Sequence, residues 1–196
     1  MKEVVIVKYN AGNVQSVQYA LDRLGVRAVW SDDPATIRGA DRVIFPGVGA
    51  AKPAMQYLKS AGLDAVICGL KQPVLGICLG LQLFCTHSEE GDTDCMGIVP
   101  NSVRKFVPRG GQKVPHMGWN TLQTMSGPLF EGVKRGAHFY FVHSYYATEG
   151  ASTVGSTDYL LPFSAALAWD NFCAVQFHPE KSGAAGQRVL QNFLFD

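Results

Sequence analysis

The stretch "PVLGICLGLQ", residues 73–82, decides how the chain is read. An apolar run reaching Val74-Leu75 turns at Cys78 towards a helix, and the cysteine stands between Gly76 and Gly80. A cysteine that only fills a core needs no small neighbours on both sides. One on a sharp strand-to-helix turn does, because the backbone folds tightly there and something approaches it closely. At a helix N-terminus the thiol also feels the positive end of the helix dipole, which favours thiolate and nucleophilic attack. Gln82, four residues on, lies on the same helix face one turn away and can touch whatever meets Cys78.

Around this turn strands and helices alternate. The β-branched run 3–9 reads as a strand, and 26–31, 41–47 and 73–78 as three more. Between them 13–25 sets Val14, Val17, Leu21 and Leu24 on one helical face, with Asn13 as N-cap and Gly25 as stop. Asp33-Pro34 opens a short helix, and 51–69 holds one or two more. Strands separated by helices imply βαβ units and a mostly parallel central sheet flanked by helices. From Ile98 to about Trp169 β-rich runs take over, notably 137–150 and, overlapping the end of this region, 164–180. Val189, Leu190 and Phe193 suit a docked helix over 183–195. The expectation is a single α/β domain over 1–196 with a β-rich C-terminal half.

With 196 residues, 47% of them apolar and 17% charged, the chain can bury a full core and is no disordered segment. A net charge of +1 without a Lys/Arg run gives no reason to expect nucleic acid or an anionic membrane as partner. The apolar part of "MKEVVIVKYN" is too short for a secretion signal, and no stretch approaches the roughly 18 apolar residues of a membrane span. Five cysteines, an odd number without a CxxC, argue against a disulfide framework and suit a reducing cytoplasm. The spacing of Cys85, His87 and Cys95 matches no common zinc pattern, so no metal and no cofactor is expected. Cys68, Cys85 and Cys173 read as core fillers.

Two further segments would reach the same end of a parallel sheet as Cys78. In "QFHPEKS" (176–182), Pro179 discourages helix at His178, so the segment is expected to be extended. His178 and Glu180 then point to one side with α-carbons about 6.5 Å apart. The carboxylate can hold one ring nitrogen while the other faces Cys78, the nucleophile, base and orienter arrangement of triad hydrolases. In "FPGVGA" (45–50), Pro46, Gly47 and Gly49 leave bare backbone amides able to approach an oxyanion. Taken singly, these are a buried cysteine, a loop with a surface carboxylate and a turn. Their convergence favours chemistry.

"PGVG", "GICLGLQ" and "HPE", in this order and separation over essentially the whole chain, resemble class I glutamine amidotransferases. "GNVQSV" (12–17), "VPHMGWN" (114–120) and "VHSYY" (142–146) are similar to the glutaminase subunits of imidazole glycerol phosphate synthases, from histidine biosynthesis. Lys8-Tyr9-Asn10 departs from the family's more usual Asp-Tyr-Gly. The resemblance implies a flavodoxin-like fold and a Cys78, His178 and Glu180 triad that hydrolyses glutamine through a γ-glutamyl thioester. It implies oxyanion amides at Val48 and Leu79, and a glutamine site at Gly47, Gln82, Glu90, Ser144 and Tyr145. It also implies a heterodimer with a cyclase subunit meeting Trp119, Tyr140 and Lys181. There the ammonia would yield imidazole glycerol phosphate and aminoimidazole carboxamide ribotide. The alternatives are the glutaminase of another amidotransferase, a γ-glutamyl hydrolase, or an inactive flavodoxin-like binding module. Trp119 also reads as a core aromatic, Lys181 and Glu90 as solvated charges, and Ser144 and Tyr145 as half-buried strand residues.

Overall fold

Val4–Val7 are apolar and β-branched throughout, and their side chains alternate between two separate layers: Val4 and Ile6 in one, Val5 and Val7 in the other. A strand buried on both faces belongs in the interior of a parallel sheet. The structure, a computed structural model, describes residues 2–9 and 14–195.

After β1 (Val4–Val7) come α1 (Val14–Arg23), β2 (Ala28–Ser31), α2 (Pro34–Gly39) and β3 (Arg42–Gly47). They are followed by α3 (Ala51–Ser60), α4 (Leu63–Cys68), β4 (Val74–Cys78) and α5 (Leu79–Phe84). The next part holds the short β5 (His87–Ser88) and β6 (Thr93–Asp94), then β7 (Ser102–Lys105), β8 (His116–Thr121) and β9 (Thr124–Met125). Beyond them lie β10 (His138–His143), β11 (Tyr145–Ala147), β12 (Thr153–Tyr159), β13 (Leu161–Trp169) and β14 (Phe172–Val175). A 3₁₀ turn at Pro179–Lys181 leads into α6 (Gly183–Phe195).

The main sheet runs β2-β1-β3-β4-β14 with every pair parallel. β13 is antiparallel to β14, and the sheet continues through β11, β7, β5 and β6, with β12 and β9 branching from β13. α1 and α6 pack on one face, where Val14, Val17, Leu21, Val189, Leu190 and Phe193 meet Val4 and Ile6. The other face receives Ile37, Met55, Leu58, Val66 and Leu81 from α2 to α5. The parallel half is thus covered on both sides, as the alternation implies.

Local chemistry sets several boundaries. The Asp33 carboxylate accepts from Thr36 N at 2.7 Å and Pro34 opens α2. Gly25, at φ +74°, follows the end of α1. The expected cap at Asn13 lies outside the described residues. The expected run 137–150 divides at Ser144. β10 leaves the main sheet to form a ribbon with β8, while β11 joins it. One expectation is corrected: Cys85 is buried and Cys173 half-buried, but Cys68, in the last turn of α4, is exposed. It falls on the outer side of the helix, since Leu63, Val66 and Ile67 take the inner one. Among the described residues no helix is long and apolar enough to cross a membrane.

Candidate active site

Strand register positions the site. Gly47 pairs with Cys78 and Val175 with Ile77, so β3, β4 and β14 finish nearly level at their carboxyl ends. In an open α/β sheet that is where ligands collect.

Cys78 is the hinge between β4 and α5, with φ +55° and ψ −107°. A non-glycine residue there costs about 1–3 kcal/mol and persists only where its surroundings dictate it. Its glycine neighbours are that surrounding. A Cβ on Gly76 would lie 2.7 Å from a Phe84 ring carbon, and one on Gly80 would fall on the carbonyl oxygen of Phe45. The glycines therefore serve close approach, and the positive φ rests on the cysteine itself.

His178 is fixed from several sides. Its N–H donates to Tyr140 O at 2.9 Å, and its carbonyl accepts from Ser182 Oγ at 2.6 Å. Nδ1 lies 2.8 Å from Glu180 Oε1, with the two side chains 3% and 2% exposed. The route differs from the extended one expected. His178 is extended, but Pro179 starts a 3₁₀ turn that swings the carboxylate back under the ring. Nε2 is buried with no hydrogen-bond partner among the described residues, and the ring lines the same cavity as Cys78. Burial alone would lower the His178 pKa, but Cys78 and then Glu180 outweigh it and raise it to about 10.

Above Cys78 opens a cavity of about 320 Å³. It gathers Val48, Cys78, Leu79, Gln82, Glu90, Ser144, Tyr145 and His178 from the expected residues, and adds Gly49, Pro115, Val142 and His143. Gly47 is not in the lining; it sits behind in β3, where a Cβ would run into the Tyr9 hydroxyl and Leu79. Glu180 lies behind His178. Glu90 Oε2 accepts from Ala51 N at 2.7 Å, so the carboxylate covers the start of α3 just beyond the PGVG loop. Burial raises its pKa, against the lowering effect of that N–H.

Trp119, Tyr140 and Lys181 stand apart from the cavity and close to one another. Trp119 of β8 is paired with Tyr140 of β10, their ring centroids are 5.9 Å apart, and Tyr140 N donates to Ser182 Oγ next to Lys181. Trp119 is 57% exposed, so it is no core aromatic, and its neighbour Met117 is 63% exposed.

Sequence reasoning passed over three polar residues here. Gln176, fully buried in the approach to His178, places Nε2 3.6 Å from Cys78 Sγ. His143 Nδ1 donates to Tyr145 O at 2.7 Å, and its Nε2 is 2.9 Å from His116 Nδ1. Burial pushes the pKa of His116 down to about 4 and that of His143 to about 3. The available signal was a glutamine inside "CAVQFH" and a histidine in each of "VPHMGWN" and "VHSYY", polar residues set among apolar and aromatic ones.

A positive-φ cysteine at a strand-to-helix turn, lining one cavity with a histidine that a buried carboxylate holds, is an arrangement in which a thiol nucleophile and a base can work together on a bound amide. The glutamine amidotransferase class-I family model matches residues 5–196, and the chain belongs to that family. It is 56% identical over 193 residues to proteins named imidazole glycerol phosphate synthase subunit HisH from Bacteroides fragilis (strain YCH46) and Bacteroides thetaiotaomicron. Each match covers 98% of this chain and 98% of the relative. Among solved structures, PurLQS from Thermotoga maritima superposes with TM-score 0.70 at 16% identity, over 99% of this chain and 98% of that one. That likeness is one of fold.

Proposed function

We propose that this chain is the glutaminase subunit of an imidazole glycerol phosphate synthase, working in the cytoplasm as a heterodimer with a cyclase. The observation that carries the reading is that Cys78 and His178 line one cavity, with Glu180 bonded to the ring of His178 from behind, in a chain more than half identical to proteins named as that subunit.

In this mechanism His178 is the imidazolium partner of the attacking Cys78 sulfur, a role its raised pKa favours. The thiolate attacks the carboxamide carbon of glutamine, and the oxyanion is received by the N–H groups of Val48 and Leu79. The tetrahedral adduct collapses, its nitrogen takes the His178 proton, and ammonia leaves. His178, now neutral, takes a proton from water as the water adds to the thioester carbonyl. Glutamate is released and the thiolate restored. Glu180 holds Nδ1 throughout.

Substrate recognition follows from the same contacts. Both amide hydrogens of Gln82 are engaged, by Tyr145 O and by Gln176 Oε1, each at 3.0 Å. What Gln82 offers a ligand is therefore Oε1, an acceptor suited to the α-ammonium group. Ser144, Tyr145 and Glu90 complete the glutamine site, with Gly47 supporting it from behind. The cyclase docks on Trp119, Tyr140 and Lys181, and ammonia passes to it without meeting bulk water.

Glutamate release by the purified chain, with and without the cyclase subunit and its nucleotide, tests this. Cys78→Ser is expected to abolish glutamine-dependent synthesis while ammonia-dependent synthesis by the complex survives. Loss of both would mean that Cys78 supports the assembly instead.

A further inference from the structure

The carbonyl of Tyr145 orients a buried hydrogen-bond network that ends on Cys78. A carbonyl only accepts, so both side chains that meet it must donate. One is Gln82, through Nε2 at 3.0 Å, and the other is His143, through Nδ1 at 2.7 Å. The second hydrogen of Gln82 Nε2 goes to Gln176 Oε1 at 3.0 Å. With its oxygen so engaged, Gln176 has only Nε2 to turn towards Cys78 Sγ, at 3.6 Å. On the other branch, a proton on His143 Nδ1 leaves Nε2 to accept from His116 Nδ1 at 2.9 Å. Every donor and acceptor in this chain is dictated by its neighbour.

From this geometry we propose that Gln176 is a catalytic residue whose side-chain amide donates to the Cys78 sulfur, stabilising and aiming the thiolate. The proposal rests on the reading of Cys78 as nucleophile. Register supports it: Val175 pairs with Ile77, which puts Gln176 beside Cys78 at the next position along the two strands. A glutamine amide has nearly the same shape when turned over, so its orientation needs a reason. A flipped Gln176 would set two donors together at Gln82 and an oxygen against the sulfur. Gln82, anchored on a backbone carbonyl that cannot change its polarity, forbids the flip. Gln176 and Gln82 are 0% and 4% exposed, so water does not compete freely for either.

The test is alkylation of Cys78 by iodoacetamide, followed by mass spectrometry over a pH series, together with glutaminase turnover of the complex. Gln176→Met keeps length and removes the donor. It is expected to slow alkylation at neutral pH about 10- to 100-fold, the range for a hydrogen bond to a charged group. The alkylation profile should move to higher pH, and kcat should fall with KM little changed. Gln176→Glu, which keeps the shape but presents an acceptor, should be slower still. Alkylation and kcat of Gln176→Met within about twofold of the unaltered protein would overturn the proposal. A folding failure of both variants leaves a measurement on the unaltered chain. The side-chain amide resonance of Gln176 should shift when Cys78 is alkylated, and a resonance that does not move overturns the proposal. Activity that survives Cys78→Ser would instead refute the nucleophile, while the alkylation rates would still report whether Gln176 donates.

Discussion

Gly80 and Phe45 meet backbone to backbone: the site of a Cβ on Gly80 is occupied by the carbonyl oxygen of Phe45. The first turn of α5 is thereby pressed onto β3, and Cys78 is held in its left-handed conformation from the helix side. Gly80→Ala is expected to destabilise the fold by about 3 kcal/mol, the upper part of the range for overpacking, because rigid backbone has to move. Gly39→Ala is the control. Gly39 ends α2 with nothing within 4 Å of its Cβ position, so that change should be neutral or stabilising. Urea denaturation of the two variants checks the pair.

Glu180→Gln keeps the shape under His178 but offers the ring an amide for a carboxylate. Turnover should fall by about 10² or more, with KM for glutamine little changed, because the lost interaction acts on proton transfer. Steady-state kinetics of the complex decide it. An unchanged kcat would remove Glu180 from the mechanism.

Stability should depend on pH through His116 and His143. Their folded pKa values, about 4 and about 3, lie below the ordinary 6.5, so the unfolded chain binds more protons in the interval. Stability is then fully present above about pH 6.5 and is lost as pH falls through 4 and 3, with uptake of up to two protons. His116→Gln, which can still donate to His143, should flatten this slope in denaturation curves measured between neutral and acid pH. His178 acts with the opposite sign. Its raised pKa contributes stability below pH 6.5 that is lost as pH rises through about 10.

Trp119→Ala should separate folding from assembly. The side chain is 57% exposed and touches Tyr140 at the edge of the ribbon, so the isolated chain should keep its stability within about 0.5 kcal/mol. Binding to the cyclase should weaken by about 2 kcal/mol or more, as expected of a buried aromatic anchor in an interface. Thermal unfolding and calorimetric titration read the two quantities separately. An unchanged affinity would move the interface elsewhere.

Much of this arrangement was legible from residue patterns. The Cys78 turn announces itself through Gly76 and Gly80, and the apolar spacing of Val189, Leu190 and Phe193 marks α6 to its last residue. Less legible were features decided by distant partners. Nothing local to 138–143 says that β10 leaves the main sheet for β8, since the alternation is the same in either pairing. Cys68 shares its apolar neighbours with buried cysteines, and only the packing of α4 turns it outward. Gln176 resembles any polar residue in a strand until register brings it level with Cys78.

The pairing of β4 with β14 joins Val74 to Phe172 and Ile77 to Val175, residues nearly a hundred positions apart. Synthesis therefore delivers Cys78, the proposed nucleophile, long before His178, its proposed base. A ribosome-bound chain carrying Cys78 has no His178 to charge it and no Glu180 to hold the ring. The strand that brings them must slot in beside β4 as the sheet is completed. Premature termination, or proteolytic loss of the last segment, leaves a fragment with a thiol and no means of hydrolysing glutamine.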